Sequence, residues 1–340
     1  MKKGLSNLLR LISLIIGLGL FVVSIQKFGG FSVVLHKLGE VRGFYLWVIA
    51  NSFLWMLFYT RAWQQLFRGV RPRVPFRGLL KIKLSGEGVN FMTPLGFMVG
   101  DPVRILLLRK LVGPDSRLRS VVIDRTLHSL AANVFNLVGL ALLLTQPIEF
   151  PAWLHIIMVL IYIFLCTVMG SLLISMVSGK GYGVLEPFVR LLIRWKRFPQ
   201  PGQKLIELRE HLEFYKDRSK IPVWLAFLYH FVGRVLGGVE IMIILYCFTG
   251  RWELVFCLIL IALTSFFTVV FGWIPGALGV VEALYANFSV LYGFDGEIGL
   301  SVQIVRRLRV LFWMAVGILV MDFAQVADYI KKIKAGKKIE

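Results

Sequence analysis

Seven apolar runs dominate the chain, at residues 8–25, 46–59, 120–145, 153–177, 222–248, 253–270 and 301–329. Most are about 20 residues long, the length that crosses a hydrocarbon core of roughly 30 Å. Inside hydrocarbon every backbone N–H and C=O must be bonded within the protein, so runs of this length fold as helices. With 57% hydrophobic residues and a mean hydropathy of +0.75, the sequence describes an all-α, polytopic membrane bundle and excludes a water-soluble domain.

The net charge of +20 does not indicate nucleic acid, because the basic residues fall mostly in short links between apolar runs, where the positive-inside rule puts them. Arg61 to Lys83 holds seven Lys/Arg and no acid, marking a cytoplasmic link. Residues 179–220, with ten basic and five acidic side chains, read as a cytoplasmic loop too short for a catalytic domain. Lys331, Lys332, Lys334, Lys337 and Lys338 form a basic tail. These charges predict both termini cytoplasmic in a multi-pass protein of the cell (inner) membrane, with an uncleaved first span. Cys166, Cys247 and Cys257 lie in apolar runs without paired spacing. Five scattered histidines offer no metal-ligand spacing, so no metal and no cofactor are expected.

The pattern breaks twice. Ser85 to Arg125 is apolar but cut by Gly86, Gly88, Pro94, Gly96 and Gly100. Phe271 to Tyr292 carries Pro275-Gly276 and Gly279. Irregular backbone at membrane depth is tolerated only where protein or a wet cavity surrounds it. The expected architecture is therefore about seven regular spans, a re-entrant element near 85–104 and a broken crossing near 271–292, all in one domain spanning 1–340. Arg117-Leu118-Arg119 and Arg307-Leu308-Arg309 follow the two breaks, which suggests an inverted repeat with a transporter-type site between its halves. Pro102 to Leu111 reads as an interfacial helix that sets Arg104, Arg109 and Lys110 at the phosphate layer.

A charge within a span is unfavourable by roughly 2.5–3.5 kcal/mol on insertion scales, so the charged residues in these runs are the functional candidates. Asp124 and Arg125 point about 100° apart on a helix and should each reach a partner on another helix; so should Arg234 and Glu240. Asn90 and Thr93 supply uncharged polar groups at the first break, where a half-helix start can aim N–H groups at an anion. Arg307 is expected to face inward with Glu282 as its counter-charge. Arg306 and Arg309 are expected to reach for the outer headgroups. HExxH, DxD, GxSxG and Walker patterns are absent, so no catalytic residue is assigned.

The run Asn90-x-x-Thr93-Pro94-x-Gly96, Gly100-Asp101-x-x-Arg104 and Asp124-Arg125, with Pro275-Gly276-x-x-Gly279-x-x-Glu282 and Arg307, resembles the lysylphosphatidylglycerol synthase transmembrane-region family, also called the flippase-like domain family. The resemblance covers about residues 5–330. It implies an integral membrane protein similar to the flippase half of multiple-peptide-resistance proteins, without their soluble aminoacyl-transferase activity. It points to transport of an anionic or aminoacylated phospholipid, or another lipid-linked amphiphile, with Asn90, Thr93, Asp101, Arg104, Asp124, Arg125, Glu282 and Arg307 as substrate-binding residues. Two other readings stay open: a membrane-embedded lipid-modifying enzyme or its subunit, and a partner that recruits a soluble synthase through residues 179–220. Homo-oligomerisation is also open.

Overall fold

The computed structural model describes residues 15–16, 18–28, 30–68, 73–92, 97–147, 156, 159–160, 162–163, 223–272 and 274–326. Their regular structure is helical, joined by short turns and links, with no strand among the described residues. The helices are α1 (Gly30–Glu40), α2 (Phe44–Gln65), α3 (Phe76–Met92), α4 (Phe97–Leu107), α5 (Pro114–Leu144), α6 (Val223–Thr249), α7 (Leu254–Val270), α8 (Val280–Leu291) and α9 (Gly296–Leu319). Single 3₁₀ turns, Leu108–Lys110 and Pro275–Ala277, follow α4 and precede α8. The loop at 179–220, the basic tail, Thr93 and most of the expected span at 153–177 lie outside the described residues.

Local chemistry accounts for the boundaries. Pro114 opens α5 after an extended Gly113, a position where its missing N–H costs nothing and its fixed φ favours the helix. Glu297 in the first turn of α9 complements the positive end of the helix dipole. Among the described residues, Ser116–Leu144 and Val223–Thr249 are long and apolar enough to cross a membrane. With 22 and 24 residues, α2 and α9 reach about 33 and 36 Å at 1.5 Å per residue, but they carry polar or charged side chains inward.

In the bundle α6 runs along α2 and packs on α5 and α7, while α9 packs on α3 and α8, and α5 meets α7. One apolar core gathers Phe135, Ile241, Ile244 and Phe256 around Tyr285. Another gathers Trp63, Leu79, Leu108, Ile123 and Leu127. Lipid is as apolar as these side chains, so close packing holds the helices rather than exclusion from water. The crossing of α3 with α9 depends on this: a Cβ on Gly88 would lie 3.1 Å from Gly317 Cα. The two backbones touch where only glycine fits.

Two expectations about the chain need correction. Lys83 does not end a solvated basic link; α3 begins at Phe76 and carries Lys83 into the interior, where it is buried. Arg104 is not at an interface, because α4 folds back against α3 and leaves that side chain 1% exposed. Its neighbour Lys110 does remain at the surface, 2.9 Å from Asp322. That hydrogen bond holds the Asp322 carboxyl below the usual carboxylate range.

Candidate functional site

The first break folds α3 and α4 into a helical hairpin. A Cβ on Gly86 would lie 2.5 Å from Arg104 Cγ, and one on Gly100 would run into Asn90 Oδ1 and the Gly86 carbonyl. Asn90 ties the break from the side, its Oδ1 accepting the Gly100 N–H at 2.9 Å. This close approach delivers Asp101 and Arg104 to the bundle interior.

There they join a network drawn from five helices. Asp124 on α5 receives Lys83 Nζ from α3 at 3.2 Å, Arg104 Nη2 from α4 at 2.5 Å and His230 Nε2 from α6 at 3.1 Å. Lys83 also donates to the Tyr59 carbonyl of α2 at 2.8 Å. Arg125 grips Asp101 in a fork, Nε to Oδ2 at 2.9 Å and Nη2 to Oδ1 at 2.8 Å. The fork matches the planar carboxylate and fixes its orientation. Beyond Asp124, His230 meets His128 through their Nδ1 atoms at 3.3 Å, and Arg234 Nη2 lies 2.8 Å from His128 Nε2. Asp124 and Arg125 thus each find partners on other helices, as expected, and both meet α4, through Arg104 and Asp101.

The second network lies on α6, α8 and α9. Arg307 Nε meets Glu282 Oε1 at 2.7 Å, and its Nη2 donates to the Gly276 carbonyl at 3.0 Å. Glu282 Oε2 accepts the Gly279 N–H at 2.7 Å, closing the first turn of α8. The expected Arg307–Glu282 pair is present. Arg306 and Arg309 correct the other expectation. Both turn inward onto Glu240 Oε1 of α6, at 3.0 and 3.1 Å. Arg306 also donates to the Tyr285 hydroxyl. Reaching the headgroups would have left the fully buried Glu240 carboxylate without a counter-charge, which is far more unfavourable than burying the arginines beside it.

No ion pair among the described residues joins the two networks directly, so the site residues form two centres rather than one continuous path. An aromatic stripe connects them. Trp55, Tyr59 and Trp63 recur every four residues and so share one face of α2. Arg309 stacks 4.7 Å from the Trp55 ring centre, Lys83 sits 5.6 Å from that of Tyr59, and Arg104 lies 4.1 Å from that of Trp63. Such contacts favour cations that are removed from water.

Among the described residues each network holds one more cation than carboxylate. Lys83, Arg104, Arg125 and Arg234 face Glu87, Asp101 and Asp124; Arg306, Arg307 and Arg309 face Glu240 and Glu282. Half of these groups are buried, whereas Arg125 and Arg307 keep 29% and 30% of their side chains exposed. Among the described residues no group of three His, Cys, Asp or Glu side chains is placed to hold a metal ion.

Sequence reading missed Lys83, His230 and the stripe on α2, while Glu240 meets its expected partners on another helix. The signal for the stripe was legible as Trp55-x-x-x-Tyr59-x-x-x-Trp63. The two halves also align differently from the expected match of Arg117 with Arg307. Arg125 and Arg307 are each the twelfth residue of their helix, and each pairs with a carboxylate on the short helix before it, 24 and 25 residues upstream.

A UPF0104 membrane protein from Methanothermobacter thermautotrophicus is 23% identical over 284 residues, covering 79% of this chain and 81% of its own. No solved structure matches the chain. Residues 10–317 match the family described as Lysylphosphatidylglycerol synthase TM region. The chain is a multi-pass membrane protein that belongs to this family.

Proposed function

We propose that this protein is a flippase-like transporter of an anionic or aminoacylated phospholipid, or another lipid-linked amphiphile, in the cell (inner) membrane with both termini cytoplasmic. The carrying observation is the excess cation in each network, together with the partial exposure of Arg125 and Arg307. Crossing hydrocarbon unaided is prohibitive for a charged headgroup. A phosphate that binds the exposed edge of the Arg125 or Arg307 guanidinium gains charge-assisted donors without stripping Asp101 or Glu282 of its own partner. Broken helices in corresponding positions of two halves support alternating exposure of such a site.

The reading assigns no catalysis to the chain. His230 is oriented by Asp124 as a general base would be, but its second nitrogen faces His128 rather than an open substrate position. This arrangement supports transport over lipid modification. The test is bilayer passage of fluorescent phosphatidylglycerol in proteoliposomes, with co-purified lipids identified by mass spectrometry. Expected outcomes are faster passage than in empty vesicles, and enrichment of one lipid that Arg307→Ala loses. Passage no faster than in empty vesicles, or identical enrichment in both proteins, would overturn the proposal.

A further inference from the structure

The hydrogen bonds running from Asp124 to Arg234 admit one arrangement of protons. Asp124 Oδ1 lies 3.1 Å from His230 Nε2; a carboxylate oxygen only accepts, so this nitrogen carries a hydrogen. Arg234 Nη2 lies 2.8 Å from His128 Nε2; a guanidinium only donates, so that nitrogen carries none. The two remaining nitrogens, both Nδ1, face each other at 3.3 Å. Each neutral ring has one N–H, so His128 donates from Nδ1 and His230 accepts. Both rings are neutral, and every donor in the chain points from the guanidinium toward the carboxylate.

An added proton has no vacant place in this chain. On His230 Nδ1 it would oppose the N–H of His128, and on His128 Nε2 it would oppose the guanidinium. The surroundings sharpen the conflict. Tyr59 of α2 meets His128 edge-on at 4.9 Å between ring centres. Lys83 and Glu87 of α3, Arg104 and Asp101 of α4, Asp124 and Arg125 of α5 and Arg234 of α6 complete the charged shell. Cations outnumber carboxylates there, and Asp124 already receives three side chains. The contact that yields is the one between His128 and Arg234, because imidazolium repels guanidinium while the Asp124–His230 bond only strengthens. The Arg234 Nε has no hydrogen-bond partner among the described residues, so that one contact fixes the guanidinium.

We propose that His128 and His230 form a binding site for one proton, and that filling it frees Arg234 to take a phosphate-type anion. The N–H bond forms at His128 Nε2 with a proton from solvent, and the Arg234 donor turns away. By linkage, an anion on Arg234 must raise the proton affinity of the pair by the same factor. The proposal rests on the transport reading only where that anion is called a headgroup.

The experiment uses the full chain, ¹⁵N-labelled at histidine, in phosphatidylcholine nanodiscs, with NMR spectra from about pH 8 to about pH 4, spanning the ordinary histidine value of about 6.5. At the upper end one Nδ1–H and one Nε2–H neutral tautomer are expected, assigned by loss of signal in His128→Gln and His230→Gln. Lowering the pH should add a single proton, with both rings responding at one midpoint. Inorganic phosphate should move that midpoint upward, and Arg234→Gln should abolish the shift. Two independent histidine titrations, a midpoint indifferent to phosphate, or no proton uptake by either ring down to about pH 4 with phosphate present would overturn the proposal. His36, His155 and His211 are replaced by Gln in the labelled chain, so the tautomers and the phosphate shift belong to the pair alone and a pair variant that fails to fold leaves the test intact. Lipid passage without the phosphate shift would retire the proton site alone; the shift without passage would retire the transport reading alone.

Discussion

Asp124 is approached from three helices at once, and its removal would strand two buried cations. Asp124→Leu should therefore destabilise the fold by about 3–5 kcal/mol, the usual penalty for leaving a buried charge uncompensated, read as a lower unfolding midpoint in detergent. Lys83→Met should be milder, because the Arg104 contact at 2.5 Å still neutralises the carboxylate. The reverse order would mean that Lys83, not Arg104, is the main counter-charge. Asp124 was legible in the sequence because a carboxylate in an apolar run announces itself energetically. Lys83 was not, since it ends a run of basic residues and shares their composition while facing inward, two residues beyond the exposed Lys81. His230 gave no signal either: a neutral ring suits an apolar helix, and its partner Asp124 lies 106 residues away.

At the scale of elements the chain repeats a unit of long helix, break, short helix and arginine-bearing helix. The lengths are 17, 11 and 31 residues in α3, α4 and α5, and 17, 12 and 24 in α7, α8 and α9. The breaks were readable from Pro and Gly clusters. The register of the repeat was not, because Arg-Leu-Arg triplets match by eye while the ion pairs that define equivalence depend on folding back. If the units are equivalent, Arg125→Ala should reduce lipid passage by a factor similar to Arg307→Ala, each measured at matched protein amounts. A large disparity would confine the transport step to one half. The hairpin is more demanding than its glycines suggest. Gly100→Ala should lose about 1–3 kcal/mol of stability as overpacking, because the added methyl meets the Gly86 carbonyl, which cannot rotate aside.

Across the whole molecule, α6 belongs to neither unit yet serves both, giving His230 and Arg234 to one network and Glu240 to the other. All-α membrane architecture was legible from run length and hydropathy alone. The inward turn of Arg306 and Arg309 was not, since it needs the position of a carboxylate 66 and 69 residues away. That dependence reaches back to how the protein is made. Three arginines within four residues of α9 oppose entry into lipid by roughly 2.5–3.5 kcal/mol each, so the helix is a poor passenger by itself. It is synthesised last of the described helices, after Glu240 and Glu282 are already in place. In Glu240→Gln combined with Glu282→Gln, a glycosylation tag on the link at 293–295 and protease access beyond α9 should report a fraction of chains in which this helix never enters. Full entry in that variant would show that α9 inserts unaided. Otherwise the carboxylates act as a docking slip for the last helix, and the order of synthesis becomes part of the folding code.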